Sequence, residues 1–247
     1  MIKAFTNKVI IAGQEVEHYN YKSKPVIRGY RRHARQTREE NDFKKEQTEK
    51  TKFSVNRTRS EIRRKVNANP QLKKFLTLTS SMTDIGQANK EFNLFTQRMK
   101  DRFPEFQYLA VPEFQKDVDF HGNIKPNGGA VHYHLLCNLR YVPANKIGLD
   151  IWKCGGINIK RIDRASNLGR YICKYLQKDM FDKRMFGKKK YFCSRDLEEP
   201  LEILEDEAMF FLEATKSDRK LLSEKTFYNE YSGEVDYKLF HFNNGDI

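Results

Sequence analysis

His132 and His134 stand two residues apart in the run Val131 to Leu139, which is rich in β-formers. On a strand, period-two alternation sends both imidazoles to one face and Tyr133 to the other. Two imidazoles on one face are paired nitrogen ligands for a divalent cation, or else ordinary surface or hydrogen-bonded histidines. A third ligand decides the matter, and Glu113 is placed to supply it. It lies on a second β-like run, Tyr108 to Phe114, and a turn rich in Gly, Asn and Pro (Gly122, Asn123, Pro126, Asn127, Gly128, Gly129) follows. Pairing Glu113 with either His132 or His134 centres the hairpin near Asn123, inside that turn. Two histidines and one carboxylate leave positions open for a substrate oxygen or water. The oxygen ligand suits Mg2+, and the imidazoles tilt the choice toward Mn2+.

The second group is Arg170-Tyr171-Ile172-Cys173-Lys174-Tyr175-Leu176-Gln177-Lys178. At about 100° per residue, Tyr171, Lys174, Tyr175 and Lys178 share one side of a helix. Ala165, Leu168, Ile172, Leu176 and Met180 share the other, so the apolar side packs while the tyrosines and lysines point together elsewhere. A phenol with a pKa of about 10 is a weak nucleophile at neutral pH. A neighbouring lysine and a metal-bound phosphate activate it. Tyr171 is the first choice of nucleophile because Lys174 follows it at the YxxK spacing, but Tyr175 and Lys178 repeat the spacing. The same side chains also suit stacking and charge on nucleic acid without catalysis.

These residues need elements to hold them. Phe75 to Thr79 alternates as a strand. Gly86 to Arg102 reads as a helix with Phe92, Phe95 and Met99 on one side. The hairpin strands follow, then a strand over Gly156 to Ile162, a helix over Ser166 to Met180 and a short strand over Tyr191 to Ser194. The order, β-α-β-β-β-α-β with a further short helix possible before the strand at Gly156, predicts an α+β domain whose antiparallel sheet is covered by helices. Ser54 to Asn69 reads as a helix capped by Ser54, with Ile62 and Val66 as a thin apolar stripe and Arg57, Arg59, Arg63, Arg64 and Lys65 over the rest. Such a helix lies on a phosphate backbone or packs on the domain edge. Residues 1–52 read as loosely organised, apart from a short strand at Val9-Ile10-Ile11. Residues 203–224 read as helical, and Val235 to Phe242 as a last strand.

The chain has 247 residues, a formal net charge of +13 and a pI near 9.5. Residues 1–70 hold 18 Lys/Arg against 8 Asp/Glu, and Arg28 to Arg38 is an arginine-rich run. That concentration favours a nucleic-acid partner over a merely solvated basic tail. Arg57, Arg63, Arg64, Arg170 and Lys160 are the candidate DNA contacts. The four cysteines have no CxxC spacing and read as reduced thiols. No run approaches the ~18 apolar residues of a membrane span, and no signal peptide is evident. The expectation is a soluble protein of the cytoplasm of a bacterial or host cell, with no membrane partner. Gly187-Lys188-Lys189 lacks the rest of a phosphate-binding loop, so ATP-driven helicase activity is not indicated.

Taken together, the motifs resemble the HUH endonuclease superfamily of rolling-circle replication initiators. Phe75-Leu76-Thr77-Leu78-Thr79 is similar to the family's first-motif strand. His132-Tyr133-His134 resembles its metal motif, with Glu113 in the Glu113-Phe114-Gln115 run as the carboxylate. Tyr171 to Lys178 resembles the YxxKYxxK form found in gene A proteins of small coliphages and gene II-type initiators. The resemblance implies a ferredoxin-like, five-stranded antiparallel sheet flanked by helices. It assigns residues 66–200 to the catalytic domain, 1–65 to a basic N-terminal extension and 201–247 to a C-terminal helix and strand. It also implies nicking of single-stranded origin DNA, a 5′-phosphotyrosine, a free 3′-OH, later rejoining, and host helicase and polymerase as partners. Relaxases carry a third histidine shortly after the pair. Here Leu135-Leu136-Cys137-Asn138 follows, which favours a replication initiator. A transposase or relaxase of the same chemistry, and a non-catalytic single-strand binder, are the alternatives.

Overall fold

The computed structural model describes residues 3–28, 40–162, 168–169, 171–173, 183–185 and 187–243. In chain order the elements begin with β1 (Lys3–Phe5), β2 (Asn7–Ala12), β3 (Glu15–Tyr21), β4 (Val26–Arg28) and α1 (Glu40–Asn67). Next come β5 (Lys74–Leu78), α2 (Ile85–Arg102), β6 (Tyr108–Phe114), β7 (Val131–Cys137), α3 (Ala144–Ile147) and β8 (Ile157–Arg161). The last are β9 (Phe192–Cys193), β10 (Leu201–Leu204), α4 (Glu205–Ala214), β11 (Arg219–Asn229) and β12 (Gly233–Phe242). The fold is α+β, with two five-stranded antiparallel sheets and a two-stranded ribbon among the described residues. The chain divides into two units, residues 45–197 and residues 1–44 with 198–247.

In the unit 45–197 the sheet runs β8-β5-β7-β6-β9. One face packs on α2. Ile85, Ala88, Phe92, Phe95 and Met99 recur at helical spacing, and all are buried against Leu76, Leu78, Tyr108, Tyr133 and Leu135. Each such side chain contributes roughly 1.5–3 kcal/mol by leaving water. Asp84 caps α2, accepting a hydrogen bond from the Gln87 amide at 2.7 Å, and the helix stops at Phe103, before Pro104. Trp152 closes this core and donates from Nε1 to the Thr79 carbonyl at 2.7 Å. The opposite face carries Phe75, Leu109, Val111 and Leu136. It packs on Val55, Ile62 and Val66 of α1 and on Ile172 and Cys173.

Helix α1 is longer than its predicted start. Ser54 is not its cap but an interior residue whose carbonyl accepts from Thr58 Oγ1 at 2.9 Å. No Gly or Pro interrupts residues 40–67, so the mixed-charge run ahead of Ser54 continues as the same helix.

The other unit corrects two expectations. Residues 1–52 are not loosely organised throughout: β2 and β3 form a hairpin in the sheet β10-β2-β3-β12-β11. Residues 203–224 are not one helix. Helix α4 ends at Ala214, and the segment from Arg219 pairs as β11 with β12, from Arg219↔Phe242 to Asn229↔Gly233. Pairing with distant strands overrides the local helical tendency. Val9, Ile11, Val16, Ile203 and Phe240 pack on Ala208, Phe211 and Leu212 of α4. Divisions at 65/66 and 200/201 therefore give way to divisions at 44/45 and 197/198, because the two chain ends share one sheet. Of the arginine-rich run, residues 29–39 lie outside the described residues.

Candidate metal and nucleophile site

The β6–β7 hairpin sets Glu113 directly opposite His132, and Val111 opposite His134. Directly opposed residues in an antiparallel pair project to the same face, so Glu113, His132 and His134 share the face that packs on α1. Tyr133 projects the other way. It is fully buried, stacks on Phe92 with centroids 4.3 Å apart, and donates its hydroxyl to Asn89 Oδ1 at 2.8 Å. Burial pushes its phenol pKa far up, so it anchors the strand and is no nucleophile.

On the site face, His134 Nε2 lies 2.5 Å from Glu113 Oε2, and His134 Nδ1 lies 3.3 Å from Thr77 Oγ1. With the proton on Nε2, His134 donates to the carboxylate and accepts from the threonine hydroxyl. His134 is buried, and its ring stacks on Phe75 with centroids 5.7 Å apart. His132 is half-buried. Burial lowers its pKa, the neighbouring His134 lowers it further, and Glu113 opposes both. A neutral imidazole offers a lone pair, and a carboxylate offers oxygen, so the donor set suits a divalent cation. As the side chains stand, the geometry joins Glu113 to His134. Among the described residues no three His, Cys, Asp or Glu side chains converge as a metal-holding group.

Residues 171–173 are helical. Ile172 and Cys173 are buried against the sheet, and the half-buried Tyr171 packs on the same cluster. Its ring meets Phe75 edge-on, 5.3 Å between centroids at 79°. Phe75 therefore touches both His134 and Tyr171 and links the strand motif to the helix motif. Gly169 explains how this helix docks so closely. A Cβ at that position would lie 2.9 Å from both the Cα and the carbonyl oxygen of Arg63 on α1, and backbone atoms cannot yield as a flexible side chain does.

The other candidates scatter. Lys160 is exposed on the edge strand β8 and pairs with Phe75, which puts it on the site face. Arg57 is exposed and bonds Glu61 at 2.8 Å, while Arg63 and Arg64 are half-buried on α1. Arg170, Lys174, Tyr175 and Lys178 lie outside the described residues. Sequence reasoning passed over the roles of Phe75, Thr77 and Gly169. The alternation of the Phe75–Thr79 strand already put Phe75 and Thr77 on one face. The close approach at Gly169 left no trace beyond a glycine in a helix.

An antiparallel sheet carrying two histidines and a carboxylate on one face, with a tyrosine-bearing helix docked there, defines a domain class. Residues 73–180 match the family model of the replication-associated protein ORF2/gene II protein, and that segment is a domain of this replication-associated family. It spans Phe75, Glu113, both histidines, Lys160 and the whole tyrosine motif. No curated protein and no solved structure matches the chain.

Proposed function

We propose that this domain nicks and rejoins single-stranded DNA at a replication origin, with Tyr171 as the first nucleophile. The observation that carries the reading is the position of Phe75. It contacts both His134 and Tyr171, so ligand candidates and nucleophile candidate belong to one sheet face of a replication-associated domain.

Glu113, His132 and His134 would hold the divalent cation, Mn2+ or Mg2+, which when bound draws charge from the scissile phosphate. Thr77 and Phe75 fix the His134 ring from its Nδ1 side and its face. The Tyr171 phenolate oxygen attacks phosphorus, forming an O–P bond as the bond to the 3′-oxygen breaks. Its proton passes to a base, for which Lys174 is the candidate, and the departing 3′-oxygen takes up a proton as the free 3′-OH. The product is a 5′-phosphotyrosine, and attack by a 3′-OH reverses the step and rejoins the strand. Tyr175 with Lys178 is the second candidate pair. Lys160, Arg57, Arg63, Arg64 and Arg170 would hold the DNA backbone. A host helicase and polymerase would extend the freed end in the cytoplasm of the bacterial or host cell. No helix among the described residues is long and apolar enough to cross a membrane.

The test is to incubate labelled single-stranded origin DNA with the full chain and Mn2+, then run a denaturing gel. The expected result is a covalent protein–DNA adduct that Tyr171→Phe removes. Binding without scission across metals and origin sequences would return the domain to a non-catalytic single-strand binder.

A further inference from the structure

The hairpin that carries the ligand candidates does not end at them. The ladder continues past the pair Glu113 and His132 through Phe114 and Val131. It runs on through the Gln115 amide to the Ala130 carbonyl at 2.9 Å and the Lys125 amide to the Asp117 carbonyl at 2.7 Å. It closes at Asp119 and Asn123. At about 3.4 Å per residue, the tip stands on the order of 20 Å along the ribbon from Glu113. There Phe120 is 99% exposed and Ile124 81% exposed, and the His121 ring meets Phe120 edge-on at 5.5 Å.

These side chains sit on a built turn. Asp119 accepts from the amides of His121 at 2.8 Å and Asn123 at 2.9 Å, and from Asn123 Nδ2 at 3.1 Å. Gly122, at φ +87°, takes the left-handed conformation that closes the turn. Lower down, Arg184 lies 3.8 Å over the Phe114 ring and bonds Asp117 Oδ1 at 3.1 Å, and the Gly129 amide donates to the same oxygen at 2.6 Å. The two acidic side chains are thus engaged with the ribbon's own amides and Arg184. Lys116 is exposed and Lys125 half-buried on the same ribbon, and Lys125 is near enough to bear on His132.

We propose that this tip is a stacking platform for unpaired DNA bases flanking the cleavage site, with Phe120, His121 and Ile124 against the bases and Lys116 and Lys125 along the phosphates. The proposal rests on the single-strand nicking reading. Ring faces held rigidly beside cationic side chains are what sequence-tolerant single-strand binding uses. A rigid turn also binds without the ordering cost that a loose loop would bear.

The experiment measures binding of a fluorescein-labelled dT30 oligonucleotide to the full chain by anisotropy, for the wild type, Phe120→Ala and Ile124→Ala, with thermal melts to check folding. Wild-type binding is expected, Phe120→Ala should weaken it by about tenfold, and the salt slope should not change because no charge is removed. Phe120→Trp adds a direct readout against the buried Trp152: dT30 should quench the new exposed indole, and duplex DNA should not. If the wild type binds dT30 but Phe120→Ala binds equally and the Phe120→Trp emission ignores the oligonucleotide, the platform is wrong while the nicking reading stands. If Phe120→Ala leaves DNA binding intact and abolishes self-association in light scattering, the tip joins copies of the chain and the proposal falls. If the wild type binds no single strand at all, both fall, and the absence of any adduct identifies that case.

Discussion

Each of the two five-stranded sheets holds a carboxylate largely out of water, and the company each carboxylate keeps is different. In the sheet of residues 1–44 and 198–247, Glu17 is almost wholly buried. Its Oε2 accepts the hydroxyls of Tyr19 at 2.7 Å and Tyr237 at 3.3 Å. Phenols at neutral pH are donors there, so they satisfy the carboxylate and present nothing further. In the sheet of residues 45–197, Glu113 faces two imidazoles, each of which holds a lone pair when neutral. Burial alone therefore does not mark a reactive carboxylate. Neighbours that can lend electron pairs do, and they convert a structural hydrogen bond into a ligand set.

The largest expected effect sharpens that contrast at the nucleophile. Tyr171→Phe removes only the attacking oxygen and keeps the edge contact with Phe75. Adduct formation on denaturing gels should vanish while the thermal melt stays within about 1 °C, since the ring remains packed. An undiminished adduct, removed instead by Tyr175→Phe, would transfer the role to the second tyrosine.

Next come the ligands. Glu113→Gln and His134→Ala should each cut metal-dependent nicking by about a hundredfold or more. They should also raise the Mn2+ concentration needed for half-maximal rate. Glu17→Gln serves as the matched control, with nicking per folded molecule unchanged. Equal losses in both sheets would mean that the carboxylates act through stability, and the contrast between them would collapse.

The two sheets also differ in how far they can be read from the chain. The β6–β7 hairpin joins strands by one turn, so alternation plus the turn residues sufficed to put Glu113 opposite His132. The strand at Phe75 and the face of α2 followed from spacing in the same way. The terminal sheet pairs Val9 with Ile203 and Tyr19 with Tyr237, partners about two hundred residues apart with no local signature. Glu15 and Glu17 made β3 look solvated, although both are buried. Phe75 as the bridge between histidine and tyrosine was likewise invisible, because it depends on where the helix carrying residues 171–173 docks.

That docking can be broken on its own. Gly169→Ala places a methyl carbon against the Arg63 backbone and forces the helix or α1 to move. Overpacking of this kind costs roughly 1–3 kcal/mol. The melt should drop, and nicking should fall further than the unfolded fraction accounts for, because the phenol moves away from the histidine face. A melt equal to wild type with full activity would show that the helix approaches α1 less closely.

The smallest effect belongs to the terminal sheet. Glu17→Gln keeps the shape of the side chain but replaces two charge-assisted hydrogen bonds, from Tyr19 and Tyr237, with neutral ones. The Gln amide also brings a donor group to a site that offers only hydroxyls. The expected cost is about 1–2 kcal/mol in urea denaturation, with the slope unchanged. Tyr19→Phe and Tyr237→Phe should each recover part of that loss when combined with Glu17→Gln, since a hydroxyl that has lost its anionic acceptor no longer needs satisfying. Strict additivity in that cycle would mean that the hydroxyls are bonded elsewhere. Glu17 would then be a buried acid held by something other than its phenols, and the pairing that sets it apart from Glu113 would be lost.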